Sequence, residues 1–195
     1  MTRYRVLRLD EAFRFKCVRC DFCCGTGPNV SLTAFDIVRI AKFLGIGWRD
    51  VLKSYVKVII ADIVPFFSLR DKGNGECVFM ERKPSGETLC VIYPARPMRC
   101  RLYPVIIESL KPERFYLDLM CPGVDKGSET RVSMRLIEEY VRERREHYRR
   151  LFRLVYEEGL EPQDAVERLL EEVWKEAEGG AEWADLDKLE MLGSV

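Results

Sequence analysis

CVRCDFCCGTG, residues 17–27, sets four thiols within eight consecutive positions. Cys17, Cys20 and Cys23 recur every third residue, a spacing that lets side chains on a turning backbone converge on one centre, and Cys24 adds a fourth sulfur. A single cysteine is often just a small buried hydrophobe. Four cannot all hide in a core when Arg19, Asp21, Gly25 and Gly27 are interleaved with them. Near-neighbour bridges such as Cys17 to Cys20 would be strained and labile disulfides. The spacing therefore predicts a thiolate metal site, with the fold built round it.

Working outward, four more cysteines stand singly at Cys77, Cys90, Cys100 and Cys121. Eight thiols suffice for two four-thiolate sites, and adjacent Cys23 and Cys24 are expected to point apart, one serving each. Three clustered thiols completed by a remote cysteine before proline, here Cys121 before Pro122, follow the ferredoxin manner of holding an iron–sulfur cluster. Tetrahedral zinc also accepts four thiolates, commonly as Cys-x2-Cys pairs. The run favours [4Fe–4S] clusters, with zinc as the alternative. His147, the one histidine, excludes zinc sites built from several imidazoles and Cys-His protease chemistry, and reads as a packed or surface residue. Gly25 and Gly27 follow no predicted strand, so they read as a tight turn freeing backbone N–H groups for sulfur rather than as a nucleotide loop.

The rest of the 195 residues supplies the frame. SLTAFDIVRIAKFLGI has Thr33 and Asp36 as a helix start, apolar positions at helical spacing, and Gly45 as a stop. WRDVLKSYV reads as a short helix, KVIIADIVPFF as extended strands, and CVFME with LCVIY as a hairpin. Pro94, Pro97 and Pro104 allow only short helical turns around Cys100, and RFYLDLMCPG reads as a strand ending at Cys121. No cysteine follows residue 121; helices are expected at 128–158 and 162–178, then a docking turn carrying Trp183, Leu186 and Leu189. The expectation is an α+β fold, a small irregular antiparallel sheet and turns around cysteine-ligated metal sites, wrapped by helices. Residues 1–127 would form the metal-binding domain and 128–195 a helical region packed on it. Without metal, residues 17–123 are expected to lose order while the carboxy-terminal helices keep theirs.

Lysine plus arginine and aspartate plus glutamate number 32 each, so no global field recruits nucleic acid or anionic lipid. RERREHYRR, residues 142–150, is laced with glutamate and reads as a solvated helix face. No apolar run is long enough to span a membrane and the amino-terminal stretch lacks a signal-peptide core, so a cytoplasmic location is expected. Amide side chains are confined to Asn29, Asn74 and Gln163, a bias resembling that of thermophile proteins.

The segments CVRCDFCC, CVFM, LCVIYPARPMRCRLYP and MCPG, over residues 17–123, resemble a family of small cysteine-cluster proteins with a Cys-x2-Cys-x2-Cys-Cys signature, known as zinc- or iron-chelating domains or iron–sulfur-cluster-containing proteins. Its Arg-Pro-x2-Cys-Arg-x-Tyr-Pro element falls on Arg96, Pro97, Cys100, Arg101, Tyr103 and Pro104. The resemblance implies that all eight cysteines are ligands. Arg96 and Arg101 beside such a site would offset thiolate charge and raise a reduction potential, or hold an anionic substrate. Arg99 reads as a surface residue, and Tyr103, before proline, as packing beside the site. The function expected is iron–sulfur binding with a redox or electron-transfer role toward an unidentified redox or protein partner. A flagellin lysine methylase is similar in its cysteine region, which implies a protein-modifying enzyme as the alternative; a zinc-stabilised interaction module is the third.

Overall fold

The computed structural model describes residues 3–26, 30–61 and 63–195. Strands β1 (Tyr4–Leu7) and β2 (Phe13–Phe15) lead to a one-turn helix, α1 (Phe22–Gly25). β3 (Ser31–Leu32), helices α2 (Ala34–Leu44) and α3 (Trp48–Tyr55), and strands β4 (Val56–Ala61) and β5 (Val64–Leu69) follow. Next come β6 (Met80–Arg82), β7 (Thr88–Cys90), α4 (Met98–Leu102), β8 (Val105–Ile106), β9 (Phe115–Asp118) and β10 (Val124–Thr130). The chain closes with α5 (Met134–Phe152), which runs into a π-helical turn at Arg153–Glu157, then α6 (Pro162–Glu178) and α7 (Leu186–Met191).

The strands form four small antiparallel sheets, β1-β9-β8, β10-β2, β3-β5-β4 and β6-β7, so the fold is α+β. Local chemistry sets the element ends. The Thr33 hydroxyl accepts from the Asp36 N–H while the Asp36 carboxylate accepts from the Thr33 N–H, the reciprocal cap expected of that pair. Gly45, at φ 67°, closes α2 in the left-handed conformation that suits glycine. Pro162 opens α6, and Gly179 caps it.

The helix expected from residue 128 begins instead at Met134, capped by Ser133. Residues 124–130 are β10, paired with β2 across a bulge between Val124 and Glu129. All but the first of its residues are at least partly exposed, so no apolar alternation marks it as a strand.

Two apolar cores result. The larger joins α2, α3, β5 and α6 through residues such as Phe35, Ile40, Phe67, Leu169 and Val173. The smaller joins β1, β9, α4 and α7 through Leu7, Leu117, Leu102 and Leu189. Helix α5 serves both, giving Leu136, Ile137 and Tyr140 to the smaller core and Leu151 to the larger. Among the described residues no helix is long and apolar enough to cross a membrane.

A buried ion cluster ties α2 to α5. Arg39 spans both oxygens of Glu143, the Nη2–Oε2 distance being 2.8 Å, and reaches Asp36 at 2.9 Å, with all three side chains sealed from solvent. Such a cluster adds little net stability over an apolar packing, but removing one member strands a buried charge. Burial pushes Arg39 down, yet Glu143 and Asp36 outweigh it and leave its pKa raised. His147, one turn further along α5, is fully buried and brought down to about 4 by desolvation, so its ring is neutral and Nδ1 accepts the Ala34 N–H at 3.3 Å.

Candidate metal centre

The cysteine run is pinned from three sides. At its entry, the Lys16 N–H donates to the Gly123 C=O at 3.1 Å, which lays the segment after Cys121 against the segment before Cys17. That approach needs glycine: a Cβ at Gly123 would sit 2.4 Å from the Lys16 carbonyl oxygen. In the middle, Thr88 of β7 donates its N–H to the Arg19 C=O at 3.0 Å and its hydroxyl to the Cys20 C=O at 2.8 Å. Arg19 adopts a left-handed φ of 49° to present these groups. At its exit, the Cys77 N–H donates to the Cys24 C=O at 2.6 Å. Hydrogen bonds thus connect the clustered thiols to the segments that carry Cys77, Cys90 and Cys121.

Cys17 and Cys23 are exposed, Cys20, Cys24, Cys90 and Cys100 half-buried, and Cys77 and Cys121 buried; all eight are free thiols. Cys77 belongs to the larger core, with Cys24 and Cys90 packed against it, whereas Cys121 belongs to the smaller. The sulfurs of Cys23 and Cys24 are 3.6 Å apart, so the adjacent thiols converge where divergence was expected. Two thiolates on one tetrahedral ion with bonds of about 2.3 Å stand about 3.8 Å apart.

Ionisation shows which sulfurs share an environment. A hydrogen bond from Cys24 brings Cys23 down to about 7 and, by the same coupling, drives Cys24 far up, so one proton is held between them. Burial raises Cys77, Cys90 and Cys100, and each is raised further by neighbouring thiols: Cys77 by Cys23, Cys90 by Cys77 and Cys23, Cys100 by Cys90, Cys77 and Cys23. Burial also raises Cys121, whose thiol neighbours are Cys23 and Cys20. Cys24, Cys77, Cys90 and Cys100 therefore form one neighbourhood, Cys20 and Cys121 a second, and Cys23 acts on both.

The surroundings favour sulfur as an acceptor. Backbone N–H groups of Phe79 and Met80 are directed at Cys77, that of Ile92 at Cys90 and that of Gly123 at Cys121, each lowering the cost of a thiolate. Three cysteines thus share one local design, an N–H two residues further along the chain. Arg96 lends Cys90 positive charge. The donor set suits a thiophilic metal, although among the described residues no three Cys, His, Asp or Glu side chains are gathered closely enough to hold an ion.

Of the flanking residues, Arg96 and Arg101 are buried. Burial, with Arg96 and Arg39 near, brings Arg101 down to about 10. The Tyr103 hydroxyl is buried close to Cys121 without a hydrogen bond of good geometry, and desolvation raises its pKa. Arg99 makes no ion pair among the described residues. Sequence reasoning missed Asp36 as part of the site's support: its Oδ1 accepts the Met98 N–H at 3.0 Å and so fixes the start of α4, which carries Cys100. The signal was the helix cap with Thr33, but its reach to residue 98 leaves no trace in the local pattern. Gly27 lies outside the described residues.

The family model described as "CxxCxxCC: Putative zinc- or iron-chelating domain" matches residues 16–122, more than half of the chain. An uncharacterized protein of the archaeon Methanocaldococcus jannaschii is 32% identical over 172 residues, covering 83% of each chain. No solved structure matches.

Proposed function

Because the chain belongs to the CxxCxxCC family of zinc- or iron-chelating domains, we propose that its cysteine cluster holds iron–sulfur centres and serves one-electron transfer. The observation that carries this reading is the division of thiols into two neighbourhoods of backbone-solvated sulfur. Cys24, Cys77, Cys90 and Cys100 would hold one [4Fe–4S] cluster and Cys20 and Cys121 the other, which Cys17 and Cys23 would complete by their three-residue spacing from Cys20. A bound cluster supplies an electron that comes and goes without a proton. The chain does the rest: N–H groups of Phe79, Ile92 and Gly123 stabilise thiolate sulfur, Arg96 offsets charge at Cys90, and the two cores exclude water from Cys77 and Cys121. Cys17 and Cys23 face solvent, where a redox partner can approach.

The test is iron, zinc and acid-labile sulfide analysis on protein purified without oxygen, with visible spectra before and after dithionite. Iron and sulfide in equal amounts, bleached on reduction, support the reading, and Cys77→Ser and Cys121→Ser should each remove about half of the iron. Zinc without sulfide or colour overturns it and favours a zinc-stapled scaffold, in which Cys23 and Cys24, 3.6 Å apart, would share one ion.

A further inference from the structure

Arg96 and Arg101 are 8% and 3% exposed, and among the described residues neither is within 4 Å of a carboxylate. Two guanidiniums, which stay charged, are therefore buried without ionic partners. What they have instead is neutral: Arg96 donates to the Tyr93 C=O at 3.3 Å and stacks 3.6 Å over the Tyr93 ring, while Arg101 donates through Nη2 to the Pro94 C=O. The Arg101 Nε–H is buried with no partner. Both side chains line a cavity of about 190 Å³, whose other walls are Tyr93, Pro94, Glu190, Gly193 and Ser194.

The geometry points to a binding site in this cavity for a phosphate group, held between Arg96 and Arg101. A doubly charged tetrahedral oxyanion matches two fixed cations where a single carboxylate would leave one uncompensated. Ser194 lines the same cavity and adds a hydroxyl donor. Glu190 is the one carboxylate on the cavity wall and offsets part of the Arg101 charge, which leaves room for a small anion rather than a larger polyanion. None of the eight cysteines lines the cavity, although Arg96 also acts on Cys90 and Arg101 follows Cys100 in the chain.

The experiment is calorimetric titration of the metal-loaded full chain with inorganic phosphate and with phenyl phosphate. Saturable binding of either supports the site: the free ion alone marks a site for inorganic oxyanion, and the ester a site for a phosphorylated molecule. Arg101→Gln removes a donor pair, and Ser194→Asp sets a carboxylate against the anion at a lining residue distant in sequence from the cysteines; each should weaken binding about tenfold or more. No saturable binding of either probe by the parent overturns the proposal, as does parental affinity in either variant with its metal content intact. Should Arg101→Gln lose its metal, Ser194→Asp decides alone.

Discussion

Gly123 shows how much one absent side chain can decide. Its carbonyl receives the Lys16 N–H, and a Cβ there would stand 2.4 Å from the Lys16 oxygen and 2.9 Å from the Phe15 ring. Gly123→Ala should therefore cost about 2–3 kcal/mol, read as a lower denaturation midpoint, and lower the bound-metal content by parting Cys121 from the cysteine run. His147 makes a separate prediction. Folded, it stays neutral down to about pH 4, desolvation and Arg144 outweighing Asp36; unfolded, it takes a proton near 6.5. Between these values the unfolded chain binds more protons, so stability falls with pH from about 6.5 to about 4, by about 3 kcal/mol in all. Denaturant titrations across that window should show the slope in the parent and a shallower one in His147→Gln. Neither residue's role was legible beforehand. MCPG marked the end of a strand, and His147 read as a packed or surface residue, of which it is the first; but a clash across the chain and a hydrogen bond to Ala34 depend on partners more than 100 positions away.

Helices declare themselves more clearly than strands. Thr33 with Asp36 and the pair Pro162 and Gly179 marked α2 and α6 nearly to the residue, because capping and apolar periodicity are local properties. β10 escaped because its polar, bulged sequence gains its partner only when β2 is brought beside it. The cysteine spacing was legible for the same reason as the helices; the convergence of Cys23 and Cys24 was not, since it depends on α1 winding a single turn against Cys77. Asp36 joins three elements, capping α2, pairing with Arg39 and holding the Met98 N–H at the start of α4. Asp36→Ala should cost about 3–5 kcal/mol by leaving Arg39 short of an anion, and should loosen metal at the Cys100 site before that at Cys121. Metal analysis of the variant under graded chelation measures that order; loss from both sites together would deny Asp36 its positioning role.

Across the whole molecule, α5 carries side chains of both cores, and the larger core interleaves residues 32–92 with 151–184, so the carboxy-terminal helices pack against the wall that contains Cys77. This packing argues for coupling where the sequence suggested helices that keep their order without metal, and chelation distinguishes the two. Metal at a four-thiolate site supplies on the order of 10 kcal/mol, comparable with the stability of a domain. Stripping it should therefore lower the helical melting transition as well as that of the cysteine region, in one shared step. Circular dichroism at the helix band, followed through chelation and reloading, makes the check; an unchanged helical melt would mean that the cores are uncoupled.

The sharing of α5 also bears on synthesis. All eight thiols lie between residues 17 and 121, whereas both cores need side chains from residue 136 onward. A ribosome making this chain releases every cysteine before either wall around them can close, so the last helices to emerge seal thiols that are already in place.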